Sequence, residues 1–231
     1  MQLLKVITGS HAYGLALPTS DVDYRGVYVA DKGAILAPFS PPKVIEGEGD
    51  DVSYELRHFF KLASNANPNV IELLFVPERC HHFITPLGQK LLDNKHLFLS
   101  KQIVRTYIGF SDSCVKRMNS GHTQTGDRKE IREHGFDTKY AAHAMRVLFS
   151  GAMSITNKTL HVDVSNHRER FLQIRRGEVP KEECLRIIRE LRDALSDLEE
   201  GCLLPDKPDL TVLTRLCVEL TEGVWAFEMR K

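Results

Sequence analysis

No run of apolar residues in this 231-residue chain approaches the ~20 that a membrane-spanning helix needs, which argues against a helical membrane protein. The opening residues, MQLLKVITGSHAYG, lack the basic n-region and long apolar h-region of a secretory signal. Cysteine is scarce. Cys80, Cys114, Cys184, Cys202 and Cys217 are widely spaced, odd in number and form no CxxC pair. They indicate neither a disulfide framework nor a zinc site, and a cytoplasmic location is expected. There is no internal repeat and no low-complexity tract, so a solenoid or a disordered tail is not indicated. Nor is there an excess of charge of one sign: 31 Lys and Arg balance 31 Asp and Glu, so bulk charge does not announce a nucleic-acid binder.

What the chain does have is 42% apolar residues, enough for a buried core in one large domain or two small ones. Its charge is unevenly spread. Residues 1–100 carry 9 basic against 11 acidic residues, 101–176 carry 14 against 7, and 177–231 carry 8 against 13. The middle of the chain is therefore the expected seat of any polyanion contact, unless those charges form a solvated helical surface.

Short strands are predicted at Leu3–Thr8, Val22–Ala30, Val44-Ile45 and Val52–Leu56, each rich in β-branched or aromatic residues. The run Glu46-Gly47-Glu48-Gly49-Asp50-Asp51 reads as a turn. Beyond about residue 84 the pattern becomes helical, with helices expected over 87–92, 103–118, 137–149, 180–200 and 210–229 and a loop over Asn119–Asp127. Asp137 or Thr138 is placed to cap the third of these. The fold class is thus α+β, with an α+β core over 1–98 and a helical domain over 99–231.

The chemistry concentrates in Gly9-Ser10-His11-Ala12-Tyr13-Gly14, followed by Thr19-Ser20-Asp21-Val22-Asp23-Tyr24-Arg25-Gly26. Asp21 and Asp23, two apart on a predicted strand, leave the same face with Cα atoms roughly 6.5 Å apart. Carboxylates so placed suit a pair of metal ions in phosphoryl transfer. Mg²⁺ fits, since it prefers oxygen ligands and takes few from protein; Mn²⁺ is a possible substitute. Gly9 allows close backbone approach, and the N–H groups after it together with the Ser10 hydroxyl suit a triphosphate. Alone, an Asp-x-Asp or a Gly-Ser is commonplace; in this order and about ten residues apart they are far more specific.

The stretch GSHAYGLALPTSDVDYRGVYV resembles the signature of polymerase-β-type nucleotidyltransferases, Gly-Ser followed by Asp-x-Asp. Its extended form resembles one branch, the RNA repair pathway DNA polymerase β family of bacteria and phages. Tyr54-Glu55-Leu56-Arg57-His58-Phe59-Phe60 through Asn67-Pro68-Asn69-Val70-Ile71-Glu72, and Gly135-Phe136-Asp137-Thr138-Lys139 through His143 and Arg146, extend the likeness to about residue 150. The resemblance implies a nucleotidyltransferase core with a helical partner domain, using an NTP such as ATP and, as acceptor, the 3′ end of an RNA. It also implies a third carboxylate on a neighbouring strand. Glu55 is the choice, with Asp50 and Asp51 as competitors in a Gly-rich turn; the alternative for Glu55 is a surface pair with Arg57 or Lys61. Arg25 stands beside the aspartates and is expected to contact phosphate, or else to neutralise them or fix the strand end.

Lys139, His143 and Arg146 share a helical stripe at spacings of four and three. The expectation is a cationic grip on triphosphate or RNA backbone, set against an ordinary solvated face. Other readings keep nucleotide transfer but change the acceptor to a protein side chain or small molecule, or keep nucleotide binding without turnover, as in a toxin–antitoxin regulator. Acceptor, NTP preference and oligomeric state are not legible in the sequence.

Overall fold

The computed structural model describes residues 1–38, 41–120 and 133–229. The chain divides into two compact units, Met1–Ser100 with Pro205–Lys231, and Lys101–Leu204. Among the described residues no helix is long and apolar enough to cross a membrane.

The first unit is built on a five-stranded mixed sheet in the order β3-β4-β2-β1-β5. Its strands are β1 (Gln2–Ile7), β2 (Tyr24–Tyr28), β3 (Val44–Glu46), β4 (Asp51–Glu55) and β5 (His81–Ile84). β1 runs antiparallel to both β2 and β5, β3 antiparallel to β4, and β2 parallel to β4. The apolar content of the central strands explains their position: Leu3, Leu4, Val6 and Val27 are fully buried. β5 was not expected from the sequence; a four-residue edge strand carries too little periodic signal to stand out.

Short helices α1 (Gly9–Ala12), α2 (Lys32–Leu36) and α4 (Pro68–Ile71), and longer ones α3 (Leu56–Ser64) and α5 (Pro86–Asp93), connect the strands. In α3, Leu56, Phe59, Phe60 and Ala63 recur at helical spacing and are all buried. Phe59 and Phe60 meet Phe98 edge-on, at centroid distances of 6.3 and 5.0 Å.

The second unit is helical. It contains α6 (Gln102–Ser120), α7 (Thr138–Asn157), α8 (Arg168–Arg175) and α9 (Lys181–Asp197). α6, α8 and α9 all pack on α7. Gly151 of α7 permits one such approach, because a Cβ there would lie 3.0 Å from a Leu195 methyl. Asn119 and Ser120 complete α6, so the predicted loop begins later than the composition indicates. Its remainder lies outside the described residues.

The final helix, α10 (Leu210–Glu228), groups with the sheet-bearing unit and not with the helical one that precedes it. Leu213, Leu216, Leu220 and Val224 form its buried stripe, which packs on α3 and α5. Glu219 pairs with Lys90, and the Trp225 indole N–H donates to the Ala30 carbonyl at 3.2 Å. A sequence pattern shows that such a helix has an apolar face but not which core receives it, which is why a single boundary near residue 98 misses this return.

Asp137 is the N-cap of α7. Its carboxylate accepts from the N–H groups of Lys139 (2.9 Å) and Tyr140 (3.1 Å) and is 1% exposed. Asp137→Ala is expected to cost about 1–2 kcal/mol and to lower Tm by a few degrees in a melting experiment. Asp137→Asn, which keeps an accepting oxygen, should recover most of the loss.

Candidate functional site

The site is assembled where β1 ends and β2 begins. β1 gives way to α1 through Thr8, whose N–H donates to the Asp23 carbonyl at 2.8 Å. This bond extends the β1–β2 ladder one step and fixes Asp23 at the entrance of β2. Gly9 then turns the chain with φ +62°, in the left-handed region that glycine enters at little cost. A Cβ built on Gly9 would lie 2.1 Å from Asp23 Oδ2, so only glycine leaves room for that carboxylate. Gly9 thus stands directly against Asp23.

Asp21 is exposed and Asp23 half-buried. The expected strand start at Val22 is early by two residues: β2 begins at Tyr24, and Asp21 belongs to the preceding loop. That loop is not loose. His11 Nε2 lies 3.4 Å from the Ser20 carbonyl, and the Ser20 hydroxyl accepts from the Leu17 N–H at 2.9 Å. The residue after Ser10 therefore helps hold the segment that presents Asp21.

The neighbouring strand corrects the expectation for Glu55. β2 and β4 run parallel with Tyr24 opposite Asp51 and Tyr28 opposite Glu55. Glu55 therefore sits four residues, roughly 13 Å, along the sheet from the end that carries the aspartates. It is 4% exposed, and its carboxylate caps α3, accepting from the N–H groups of Arg57 (3.0 Å) and His58 (3.3 Å) and pairing with the Arg57 guanidinium. A carboxylate committed to a helix N-terminus at the wrong end of the sheet is a structural cap.

One step before the Tyr24–Asp51 pair, Asp50 lies beside Asp23, and its carbonyl accepts the Tyr24 N–H at 2.9 Å. Pleating sends Asp23, Arg25 and Asp50 to one face. In agreement, Arg25 Nη2 meets Asp50 Oδ1 at 2.7 Å, while Arg25 Nη1 donates to the Tyr24 and Asp50 carbonyls. Asp51 belongs to the other face, where it pairs with Lys5 at 2.7 Å. Arg25 therefore fixes the strand end and holds a carboxylate there. Among the described residues no three His, Cys, Asp or Glu side chains are gathered closely enough to hold a metal ion, and the Asp50 carboxylate is engaged by Arg25.

The stripe on α7 is not a row of cations. Lys139 is exposed, but Arg146 is 2% exposed and ranks among the largest fully buried side chains. His143 packs edge-on to Phe110 at 5.3 Å. Burial, reinforced by the nearby positive charges of Arg146, Lys139 and Arg117, lowers its pKa to about 3. The imidazole is neutral at physiological pH. In the unfolded chain it would bind a proton below about 6.5, so its contribution makes the fold less stable as pH falls from there toward 3. The ring resonances of His143 should show no titration between pH 5 and 8 by NMR, and His143→Phe should lessen the loss of stability below pH 6.

A Gly-Ser turn set against Asp-x-Asp at the end of a mixed sheet is the feature that carries the likeness to polymerase-β-type nucleotidyltransferases. Comparison with known proteins agrees. The chain belongs to the RNA repair pathway DNA polymerase beta family, whose profile matches residues 2–219. It is also 25% identical over 139 residues to an uncharacterised 38.9 kDa protein encoded between nrdC and mobD in Enterobacteria phage T4. That match covers 54% of this chain and 40% of the phage protein, so it spans well under half of that relative. No solved structure matches the chain.

Proposed function

We propose that this protein transfers a nucleoside monophosphate from an NTP, ATP in the first instance, to the 3′ hydroxyl of an RNA, releasing pyrophosphate. The observation that carries the reading is the placement of Asp23 against Gly9, where a Cβ would lie 2.1 Å from the carboxylate, with Asp50 beside it on the next strand.

The donor set fits Mg²⁺: Asp21 and Asp23 offer only hard carboxylate oxygens, and the missing Cβ of Gly9 leaves room for the Asp23 carboxylate itself. Held there, the ion would supply charge neutralisation for the transferred phosphate and its leaving group. The remaining roles fall to the chain itself. Backbone N–H groups after Gly9 and the Ser10 hydroxyl receive triphosphate oxygens. Arg25 exchanges Asp50 for a phosphate oxygen, forming a charge-assisted bond and freeing the Asp50 carboxylate. Asp50, in place of Glu55, then accepts the proton of the attacking hydroxyl. A bond forms between that oxygen and the α-phosphorus, and the α–β bridging bond breaks in line.

The acceptor is tested by incubating the full chain with each α-labelled NTP, Mg²⁺, and either short RNA or total cell protein. Label in RNA alone supports the proposal. Label in protein alone transfers the same chemistry to a side-chain acceptor, and no label in either removes the catalytic reading.

A further inference from the structure

The helical unit contains a cavity that the reaction above does not use. It is an open bowl of about 120 Å³ between α7, α8 and α9. Its floor is apolar and inaccessible: Met145 is 2%, Ile174 1% and Phe171 6% exposed. Its wall is aromatic, with Phe149 set edge-on to Phe171 at 6.5 Å and to His167 at 4.7 Å. Its rim is polar and exposed, formed by His167 and Arg170.

We infer that this cavity binds one unpaired nucleobase of a single-stranded RNA, with Arg170 meeting the adjoining phosphate; the inference rests on the RNA-acceptor reading. Size is the first argument. A cavity of ~150 Å³ takes up benzene, so this one admits a single ring and not a whole nucleotide. Lining is the second. Aromatic edges and faces around an apolar floor suit a planar heterocycle and supply little that a sugar or peptide could bond.

Charge is the third argument. Arg170's hydrogen bond among the described residues goes to Gln173 Oε1, a neutral amide, at 3.5 Å. By contrast Arg176 on the same stretch is held by Glu169 and Glu178, and Arg186 on α9 holds Glu183 and Glu190. The nearby acids are thus largely matched by other arginines, and Arg170 remains a cation at the lip of an apolar bowl. It also lies in the 101–176 stretch that carries 14 basic against 7 acidic residues. An apolar bowl beside a cation suits a ligand that is aromatic at one end and anionic at the other, which describes a nucleotide of a flexible strand.

The test compares the full chain, without NTP, on three probes: a short oligouridylate, an abasic ribose-phosphate oligomer of equal length and charge, and UMP. The oligouridylate should bind roughly 5- to 100-fold more tightly than the abasic oligomer, as expected for stacking of one base. Phe149→Leu, which removes the ring, and Leu191→Phe, which fills the cavity, should each erase that ratio while leaving abasic affinity unchanged at a temperature where melting shows both variants folded. Arg170→Gln should weaken both oligomers and reduce the slope of log K against log[salt] by about 0.7. Equal binding of the oligouridylate and the abasic oligomer overturns the cavity while leaving RNA as acceptor intact. UMP binding as tightly as the strand assigns the cavity to free nucleotides and overturns the inference. No binding of any RNA, even at low salt, refutes RNA as the acceptor together with the cavity.

Discussion

Asp23→Ala is expected to abolish nucleotide transfer, with a loss on the order of 10³-fold or more, since a metal-assisted phosphoryl transfer owes several kcal/mol to the charge its ligands hold in place. Tm should change little, because the Asp23 carboxylate is half-buried and its backbone, not its side chain, completes the β1–β2 ladder. Asp21→Ala should behave alike, on an exposed side chain. The sharper version removes no carboxylate at all. Gly9→Ala places a methyl 2.1 Å from Asp23 Oδ2 and asks alanine to adopt φ +62°. The backbone cost is about 1–2 kcal/mol, a modest fraction of stability. The displaced carboxylate should cost nearly as much activity as deleting it. Initial rates beside melting curves separate the two effects. A Gly9→Ala enzyme with undiminished turnover would show that the approach of α1 to Asp23 has no part in catalysis.

The second large effect is a reversal between two acids. Asp50→Asn should remove most turnover, by the ~10²–10⁴-fold typical of a lost general base, and should spare NTP binding. Glu55→Ala should do the opposite. It deletes a 4%-exposed cap that receives two backbone N–H groups and the Arg57 guanidinium. The cost is ~0.5–2 kcal/mol for the cap plus the exposure of unsatisfied donors at the start of α3. The variant should melt earlier yet turn over normally while folded. Asp51→Asn, which weakens a half-buried pair with Lys5, should lower Tm modestly and leave turnover unchanged. Full activity in Asp50→Asn together with inactivity in Glu55→Ala at a temperature where both are folded would restore Glu55 as the third acid.

These two acids also show what a sequence can and cannot give. The approach of Gly9 to Asp23 was legible because it is encoded in adjacent residues and a short spacing. The acid beside Asp23 on the neighbouring segment was not, because its position depends on the register of β4 against β2. Register is a tertiary property, and a slip of one residue exchanges the two faces. Asp50 looked like part of a mobile Gly-rich turn, yet its carbonyl and carboxylate are both held by β2. Glu55 looked catalytic because it lies on a predicted strand, but it is the last residue of β4, and that position makes it the cap of the next helix.

The α7 stripe was misread for a related reason. Spacing put Lys139, His143 and Arg146 on one face, but a 20-residue helix surrounded by three others has little solvated face to offer. Burial turned Arg146 inward and neutralised His143. The helical periods themselves were sound over α6, α9 and α10, where apolar residues recur strongly enough to override local chemistry. The cavity among α7, α8 and α9 had no sequence signature, since its lining is drawn from three separate helices.

The account stands most directly on one measurement: incubation of wild type and Asp23→Ala, at matched folded fraction, with α-³²P-ATP, Mg²⁺ and a short single-stranded RNA. The account predicts label covalently joined to the RNA by wild type, pyrophosphate released in equal amount, and neither product from Asp23→Ala. Equal labelling by both proteins, or hydrolysis of ATP to ADP with no nucleotide joined to any acceptor, would contradict it.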